Sequence, residues 1–371
     1  MHPSILVAMS GGVDSSVAAL LLRAQGYDCR GVTMKLFSPG KLFPTEETLP
    51  PFSREIEDAR LSAERLGIPF SVCDLSEDFR REVMDYFVRT YEEGFTPNPC
   101  VTCNRCIKFG SLLREAKRLG CSHLATGHYA RISQDGGGRT LLSMPRDRAK
   151  DQTYVLWSLS QEQLSSTLFP LGDLTKAEVR AIAEEHGLLA AKRKDSQDIC
   201  FIPDGDYASF LTRYTEKVYP EGNFVDAEGN ILGRHRGIVH YTVGQRKGLG
   251  IAFGKPTYVC GKNAEDGTVL LGSNEDLFSR ELTAHSINLI ALPRIDSPIR
   301  VEARIRYSAL PAPATVEQTD EDTLRLRFDE PQRAITPGQS VVLYDGETVI
   351  GGGIISAETK KKSFVHIDKK A

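Results

Sequence analysis

The sequence predicts an α/β fold: a doubly wound parallel sheet at the N-terminus, a small central domain, and a C-terminal β-barrel. Three observations predict it. The apolar run Ser4–Met9 reads as a buried parallel strand, Cys29–Phe37 and Pro69–Leu75 read as further strands, and segments of helical periodicity separate them. Past about Asp206 the helical period gives way to short β-like pieces broken by Gly, Asn and Asp, and beyond about Arg280 almost every segment reads as strand. The length, 371 residues, exceeds what one hydrophobic core serves.

In chain order, the strand SILVAM runs into the glycine-rich turn SGG, and DSSVAALLLRAQGY follows with helical period. The strand CRGVTMKLF comes next, then Ser38–Phe52, a Pro-rich stretch that reads as a loop. A helix is expected from Ser53 to Leu66, the strand PFSVCDL after it, and a helix from Glu77 to Glu92. The cysteine segment NPCVTCNRC leads to a helix around Lys108–Leu119 and the strand HLATGHYA. Helical character persists through TKAEVRAIAEEHGLL. Near the C-terminus Leu324, Leu326 and Phe328 alternate with Arg325 and Arg327, as a strand with one buried face requires. The expected domains are 1–205, 206–280 and 281–371, with no internal repeat.

Composition is that of a soluble globular chain, with 40% hydrophobic and 26% charged residues. No run of about 18 apolar residues is present, so no membrane span is expected, and Met1–Gly12 lacks the regions of a signal peptide. The expected compartment is the cytoplasm. Eight cysteines in a chain of this length do not make a disulfide scaffold; clustered thiols in a reducing compartment point to catalysis or metal binding. The formal charge of −3 gives no global sign of nucleic acid, but it conceals basic clusters at Ala191–Lys194, Gly233–Gly237, Gly244–Gly248 and Lys360–Lys362. Taken singly, each reads first as solvated surface.

The stretch AMSGGVDSSV ends the first strand and opens a helix. Gly11 and Gly12 let backbone N–H groups approach an anion, Ser10, Ser15 and Ser16 add hydroxyl donors, and the helix N-terminus adds its dipole. A Walker lysine is missing, as is the three-glycine dinucleotide spacing. The loop resembles instead the SGGxDS loop of the ATP-pyrophosphatase (PP-loop) superfamily, which has a Rossmann-like sheet. That resemblance implies cleavage of ATP to AMP and pyrophosphate, with Asp14 a candidate for assisting Mg²⁺. A capped glycine turn without function is the plainer alternative.

Cys29, Cys73, Cys121 and Cys260 read as small buried hydrophobes. Cys100, Cys103 and Cys106 differ: they lie in a loop at a helix start, where the dipole lowers a thiol pKa. Cys200, flanked by Asp195 and Asp198 in the polar stretch DSQDICFIP, is their distant candidate partner.

AMSGGVDSSV, NPCVTCNRCIKFG, ATGHYAR, KDQTYVLW, DSQDICFI, YTVGQRKGLGI and RYS…TPGQSVVLY occur in this order over nearly the whole chain. Together they resemble the tRNA-specific 2-thiouridylases, the MnmA/TrmU family. The resemblance implies a pyrophosphatase-type domain, a central domain and a β-barrel that together hold the anticodon arm of tRNA. It implies a tRNA-uridine 2-sulfurtransferase that adenylates the wobble uridine and delivers sulfur. Ala8, Met9, Ser10, Gly11, Gly12, Val13, Asp14, Ser15, Met34 and Gly127 match its ATP-binding positions. Cys200 matches the persulfide carrier, loaded by a cysteine desulfurase or a relay protein, and Cys103 the thiol that resolves it as a disulfide. His128, Lys150, Asp151, Gln152, Arg306, Tyr307 and Gln339 match positions that touch tRNA.

Two departures stand out. Many members carry Asp, with general acid/base work, where this chain has Cys100; others carry Cys. Ser38–Phe52 replaces a more acidic loop. The spacing C-x₂-C-x₂-C is also compatible with cluster ligation, so an iron–sulfur cluster on Cys100, Cys103 and Cys200 carrying hydrosulfide is the alternative mechanism. Zinc lacks a second CxxC or a nearby His at ligand spacing. Another synthetase of the superfamily, or an RNA-binding protein with a vestigial nucleotide pocket, would need neither Cys103 nor Cys200 as reacting thiols.

Overall fold

The structure is a computed structural model that describes residues 3–38, 52–188, 199–251 and 254–357. Most of the Pro-rich stretch, the basic clusters Ala191–Lys194 and Lys360–Lys362, and Asp195 and Asp198 lie outside the described residues.

Strands β1 (Ser4–Ala8), β2 (Asp28–Lys35), β3 (Phe70–Asp74), β4 (His123–Ala125) and the short Thr167–Leu168 form a parallel sheet in the order β3-β2-β1-β4 and then Thr167–Leu168. The chain fills one side of β1 first and then the other, so the order reverses at β1. A crevice opens there beyond the carboxyl ends of β1 and β4. Burial on both faces explains the unbroken apolar run: Ile5 and Val7 enter one core, and Leu6, pointing the other way, enters a second. Helix α1 (Val13–Ala24) lays Val13, Val17, Ala18 and Leu22 into the first core with α2 (Phe52–Leu66) beside it. The second core takes Phe79, Val83 and Phe87 from a helix over 76–92, and Ile107, Phe109 and Leu112 from a helix over 99–118.

The cysteine segment begins the second of these helices. Its backbone is α-helical over Pro99–Thr102, π-helical over Cys103–Ser111 and α-helical again over Leu112–Arg118. The helix thus starts nine residues before the expected Lys108, because Pro99 at its first position and the Asn98 side chain, accepting from Cys100 N–H at 3.1 Å, fix its entry. The strand expected over HLATGHYA stops at Ala125; residues 126–130 carry no regular structure.

A hairpin of Arg131–Gln134 and Thr140–Ser143 follows, and it joins the C-terminal sheet, where Ser143 pairs with Thr348. That sheet closes on itself: Phe278–Leu289 pairs with Thr323–Arg333, the order continues through Ala312–Asp320, Ile299–Arg304, Ser340–Asp345 and Thr348–Ile355, and the last strand pairs back with the first. Inside this barrel Leu324, Leu326 and Phe328 are buried, while Arg325 and Arg327 face solvent, as alternation requires. Trp157 of the α/β domain seats its ring against the barrel at Gly352, where a Cβ would come within 2.9 Å of the ring. Only glycine leaves room for that contact. Between the two lies a four-stranded sheet built from Gly222–Val225, Ile231–His235, Tyr258–Asn263 and Thr268–Gly272, with its own core of Phe224, Tyr241, Val259, Val269 and Leu271. Among the described residues no helix is long and apolar enough to cross a membrane.

Candidate active site: a phosphate loop beside a thiol cleft

The loop after β1 lies in the crevice. Gly11 takes φ +71°, a left-handed conformation suited to glycine, and turns the chain into α1. Ser15 Oγ closes the loop by accepting Ser10 N–H at 3.1 Å and donating to Gly12 O at 3.1 Å. The first N–H groups of α1 have no partner within the helix and are available to an anion. Gly127, just past β4, meets the loop so closely that a Cβ would lie 2.7 Å from Asp14 C and 2.8 Å from Ser15 N. Met34 follows Thr33, whose hydroxyl donates to Met9 O at 2.6 Å. The expected ATP-binding positions therefore converge on one crevice.

Asp14 is held from two sides. Lys176 Nζ donates to both carboxylate oxygens at 2.8 Å, and Tyr129 Oη donates to Oδ1 at 2.8 Å. Lys176 is buried at the first position of a helix, Lys176–Glu185, whose start is fixed by a capping box of Thr175 and Glu178. With both oxygens engaged, Asp14 fastens the loop to its surroundings. No group of three or more His, Cys, Asp or Glu arranged to hold a metal occurs among the described residues.

The thiols form the second part of the site. Cys100 and Cys103 occupy the first turns of the cysteine helix, and Cys200 reaches them from a turn about a hundred residues later. Phe201 anchors that turn. It is 2% exposed, with ring centroids 5.7 Å from Phe79, 5.4 Å from Phe87 and 5.1 Å from Phe210. Such a buried ring is worth about 3–5 kcal/mol on truncation, enough to hold Cys200 in place. Cys100 and Cys200 both retain exposed surface, yet both are densely surrounded by protein atoms. Together these facts put them on the floor of a concave cleft.

The helix-start position predicts lowered thiol pKa values; in the structure burial outweighs the dipole. Desolvation raises Cys100, pushes Cys103 up to about 11, and raises Cys200 further still, with Cys103 and Cys100 adding to its shift. The helix-start N–H that would face Cys100 is also taken by Asn98. In each of the three, Lys108 acts in the opposite direction. All three thiols are free, as is Cys106, which lies near Cys103 and packs against the second core. Iron ligation needs three converged thiolates; among the described residues Cys100, Cys103 and Cys200 are not grouped to hold a metal. Cys29, Cys121 and Cys260 are buried, and Cys73 is half-buried.

The residues expected to touch tRNA divide into two sets. Tyr307 is 45% exposed and stands close enough to Cys100, Lys150 and Asp151 to feel their charges. Lys150 is half-exposed beside it. The others have polar groups engaged within the protein. Asp151 is buried, accepts from Thr153 N–H and Oγ1 at 2.9 and 2.6 Å, and pairs with Arg304 at 2.8 Å. Gln152 Oε1 accepts Tyr129 N–H at 2.8 Å. Arg306 donates to the carbonyls of Arg333 and Ala334. Gln339 Nε2 donates to Thr96 O at 2.8 Å and Pro97 O at 3.2 Å, so the barrel grips the chain just ahead of Cys100. His128 is buried between Phe109 and Phe169 and contacts Lys108.

Lys108, Lys176, Tyr129 and Arg304 do not stand out in the sequence. The capping pattern T-x-x-E marks the helix carrying Lys176, but nothing in a linear pattern shows an inward lysine. The basic clusters Gly233–Gly237 and Gly244–Gly248 line depressions of about 400 and 350 Å³ in the central domain, which include Arg234, Arg236, Arg246 and Lys255.

A phosphate loop at a sheet switch point, with a cleft of paired thiols on the same domain, defines a sulfur-handling member of the ATP-pyrophosphatase superfamily. Three family models match in succession: the tRNA methyl transferase HUP domain over residues 3–204, the tRNA methyl transferase PRC-barrel domain over 208–273, and the aminomethyltransferase beta-barrel domain over 279–355. The tRNA-specific 2-thiouridylase MnmA of Clostridioides difficile is 52% identical over 356 residues, 96% of this chain and 98% of that protein. The MnmA of Acetivibrio thermocellus is 49% identical over 357 residues, 95% and 98% of the two chains. A solved 4-thiouridine synthetase–RNA complex with bound ATP aligns over 58% of this chain and 50% of its own, at 20% identity and TM-score 0.34, a likeness too low to carry an argument. The chain belongs to the tRNA-specific 2-thiouridylase family.

Proposed function

We propose that the chain uses ATP to replace the 2-oxygen of the wobble uridine of tRNA with sulfur carried as a persulfide on Cys200. The observation that carries this reading is the meeting of Cys200 with Cys103 in one cleft, across about a hundred residues of sequence. A nucleotide-only enzyme has no need of such a pair.

The ATP would lie in the crevice with its phosphates on the N–H groups of Gly11–Ser15, and Ala8, Met9, Met34 and Gly127 lining the remainder. Lys176 and Tyr129 hold Asp14 and so fix the loop before the nucleotide arrives. The base oxygen attacks the α-phosphorus and pyrophosphate leaves. The terminal sulfur of the Cys200 persulfide then adds to C2, and AMP departs with the original oxygen. Cys103 attacks the Sγ of Cys200; a Cys103–Cys200 disulfide forms, and the old S–S bond breaks with its electron pair remaining on the sulfur now attached to the base. A thiol reductant restores both cysteines, and a cysteine desulfurase or relay protein reloads Cys200. Cys100, at the position where many members of the family carry Asp and others Cys, would take the proton transfer at the base. Tyr307 and Lys150 form the rim on which an unstacked base and its phosphate rest. The functional units are read as 1–205, 206–280 and 281–371, working on the anticodon arm in the cytoplasm.

Mass spectrometry of tRNA thiolated in vitro with a persulfide donor tests the reading. Cys103→Ala and Cys200→Ala should lose the product, and Cys106→Ala should retain it. Stoichiometric iron and acid-labile sulfide in anaerobically purified active protein would overturn the persulfide step.

A further inference from the structure

Burial raises the pKa of all three thiols in the cleft, yet any sulfur transfer passes through sulfur anions. Some positive charge has to meet them. Among the described residues, the basic side chain that acts on Cys100, Cys103 and Cys200 alike is Lys108. It belongs to the π-helical stretch Cys103–Ser111, whose widened turn carries hydrogen bonds from i to i+5. Lys108 is five residues after Cys103 and eight after Cys100, so the π turn brings its side chain back to the face that bears those thiols.

Lys108 has a built seat. Its Nζ lies 3.3 Å from His128 Nε2, and His128 Nδ1 lies 2.6 Å from Thr126 Oγ1. An ammonium can only donate, so Nε2 is the acceptor and the ring proton is on Nδ1, donated to Thr126. The His128 ring is packed between Phe109 and Phe169, each with centroid 5.8 Å away. Burial and the neighbouring Lys108 hold it far below the usual histidine range, so it stays neutral and offers a lone pair, not a second charge. No carboxylate pairs with Lys108 among the described residues. The charged and titratable groups around the cluster are Cys100, Cys103, Cys106, Cys200 and His128, with Tyr307, Arg304, Asp151 and Lys150 beyond Cys100.

We propose that Lys108, seated on neutral His128, is the cation that stabilises the sulfur anions formed at Cys200 and Cys103 during transfer. His128 is then a positioning residue acting through Lys108. The role rests on the thiol chemistry proposed above, but its electrostatic core can be measured without tRNA or ATP. In a merely structural role, Lys108 would pack its stem and leave thiol reactivity independent of its charge.

The test is residue-resolved alkylation by iodoacetamide across pH 6.5–10, read by peptide mass spectrometry on the full-length, reduced protein. Lys108→Met should slow alkylation of Cys103 and Cys200 by about tenfold throughout that range, in which the rates of both thiols are still rising with pH. Lys108→Arg, which keeps the charge, should stay within about threefold of wild type. His128→Asn, which leaves the lysine but removes its seat, should fall between the two. Unchanged profiles in Lys108→Met, or equal slowing in Lys108→Met and Lys108→Arg, would overturn the proposal. If Lys108→Met does not fold, Lys108→Gln against Lys108→Arg decides on the same readout. Wild-type protein that shows the lysine effect but never thiolates tRNA would sink the functional reading and leave this one standing.

Discussion

The buried pair of Arg304 and Asp151 ties the barrel to the α/β domain, and its removal has a calculable cost. Arg304 Nη1 donates to Asp151 Oδ2 at 2.8 Å, with side chains 14% and 7% exposed. The guanidinium also lies 5.7 Å from the Tyr154 ring centroid and 5.5 Å from that of Tyr307. Arg304→Met keeps the stem but leaves the Asp151 carboxylate buried with Oδ2 unpaired. Breaking a buried pair in this way costs about 3–5 kcal/mol, and the two ring contacts add about 0.5–1 kcal/mol each. Asp151→Asn keeps an acceptor for Thr153 and removes the stranded charge, so the double variant should cost less than the sum of the singles by about 2 kcal/mol. Trp157 is the chain's one tryptophan and is buried at the same seam, so its fluorescence during urea unfolding reports this interface directly. With an m-value of about 3 kcal/mol/M, Arg304→Met should lower the midpoint by roughly 1 M or more. A loss under about 1 kcal/mol, or strict additivity in the double variant, would refute the claim that the pair fastens the domains.

Two other residues have surroundings that make their substitution informative. Lys262 Nζ is buried without a hydrogen-bond partner, 5.6 Å from the Tyr91 ring centroid, and desolvation depresses it from 10.5 to about 7. The unfolded chain therefore holds a proton between about pH 7 and 10.5 that the folded chain does not, so stability rises with pH through that window and the penalty is complete below it. Lys262→Met should be more stable than wild type at pH 7, on the order of 3 kcal/mol, with the gap closing by pH 10; urea midpoints showing a pH-independent gap would contradict this. Gly127→Ala should cut tRNA-stimulated pyrophosphate release by about 100-fold, because its Cβ would displace Asp14 and Ser15. Retention of full release, measured by a coupled phosphate assay, would remove Gly127 from the nucleotide site.

Local chemistry is legible in the sequence; the pairing of distant groups is not. Val13–Ala24, Phe52–Leu66 and the parallel strands follow from periodicity, because one element's own residues decide which of its faces is buried. The hairpin at Arg131–Gln134 and Thr140–Ser143 has no such signature, because its partner is a barrel strand two hundred residues away. The early start of the cysteine helix is encoded in Asn98 and Pro99 as cap and first residue, but three cysteines at every third position favour a loop when read alone. Thiol acidity is misjudged from sequence for a related reason. A dipole is a property of the helix alone, whereas the desolvation that overcomes it comes from the fold packed around Cys103, which no linear pattern shows.

The expected RNA-contact residues also have work within the protein. Asp151, Gln152, Arg306 and Gln339 lie in the segments that suggest recognition, and each also hydrogen-bonds inside the fold: with Arg304, with Tyr129, with two barrel carbonyls, and with Thr96 and Pro97. Gln339 is the clearest instance. Its amide holds the two carbonyls ahead of Asn98, and Asn98 caps the turn that presents Cys100 and Cys103. A side chain in that position sets the angle of the thiols before any RNA binds. Its loss would then disturb thiol placement together with RNA affinity, whereas loss of Tyr307, whose ring is open to solvent, would act first on affinity. The barrel is in this sense part of the scaffold of the thiol cleft: the grip on Thr96 and Pro97 and the Arg304–Asp151 pair fasten it to the α/β domain.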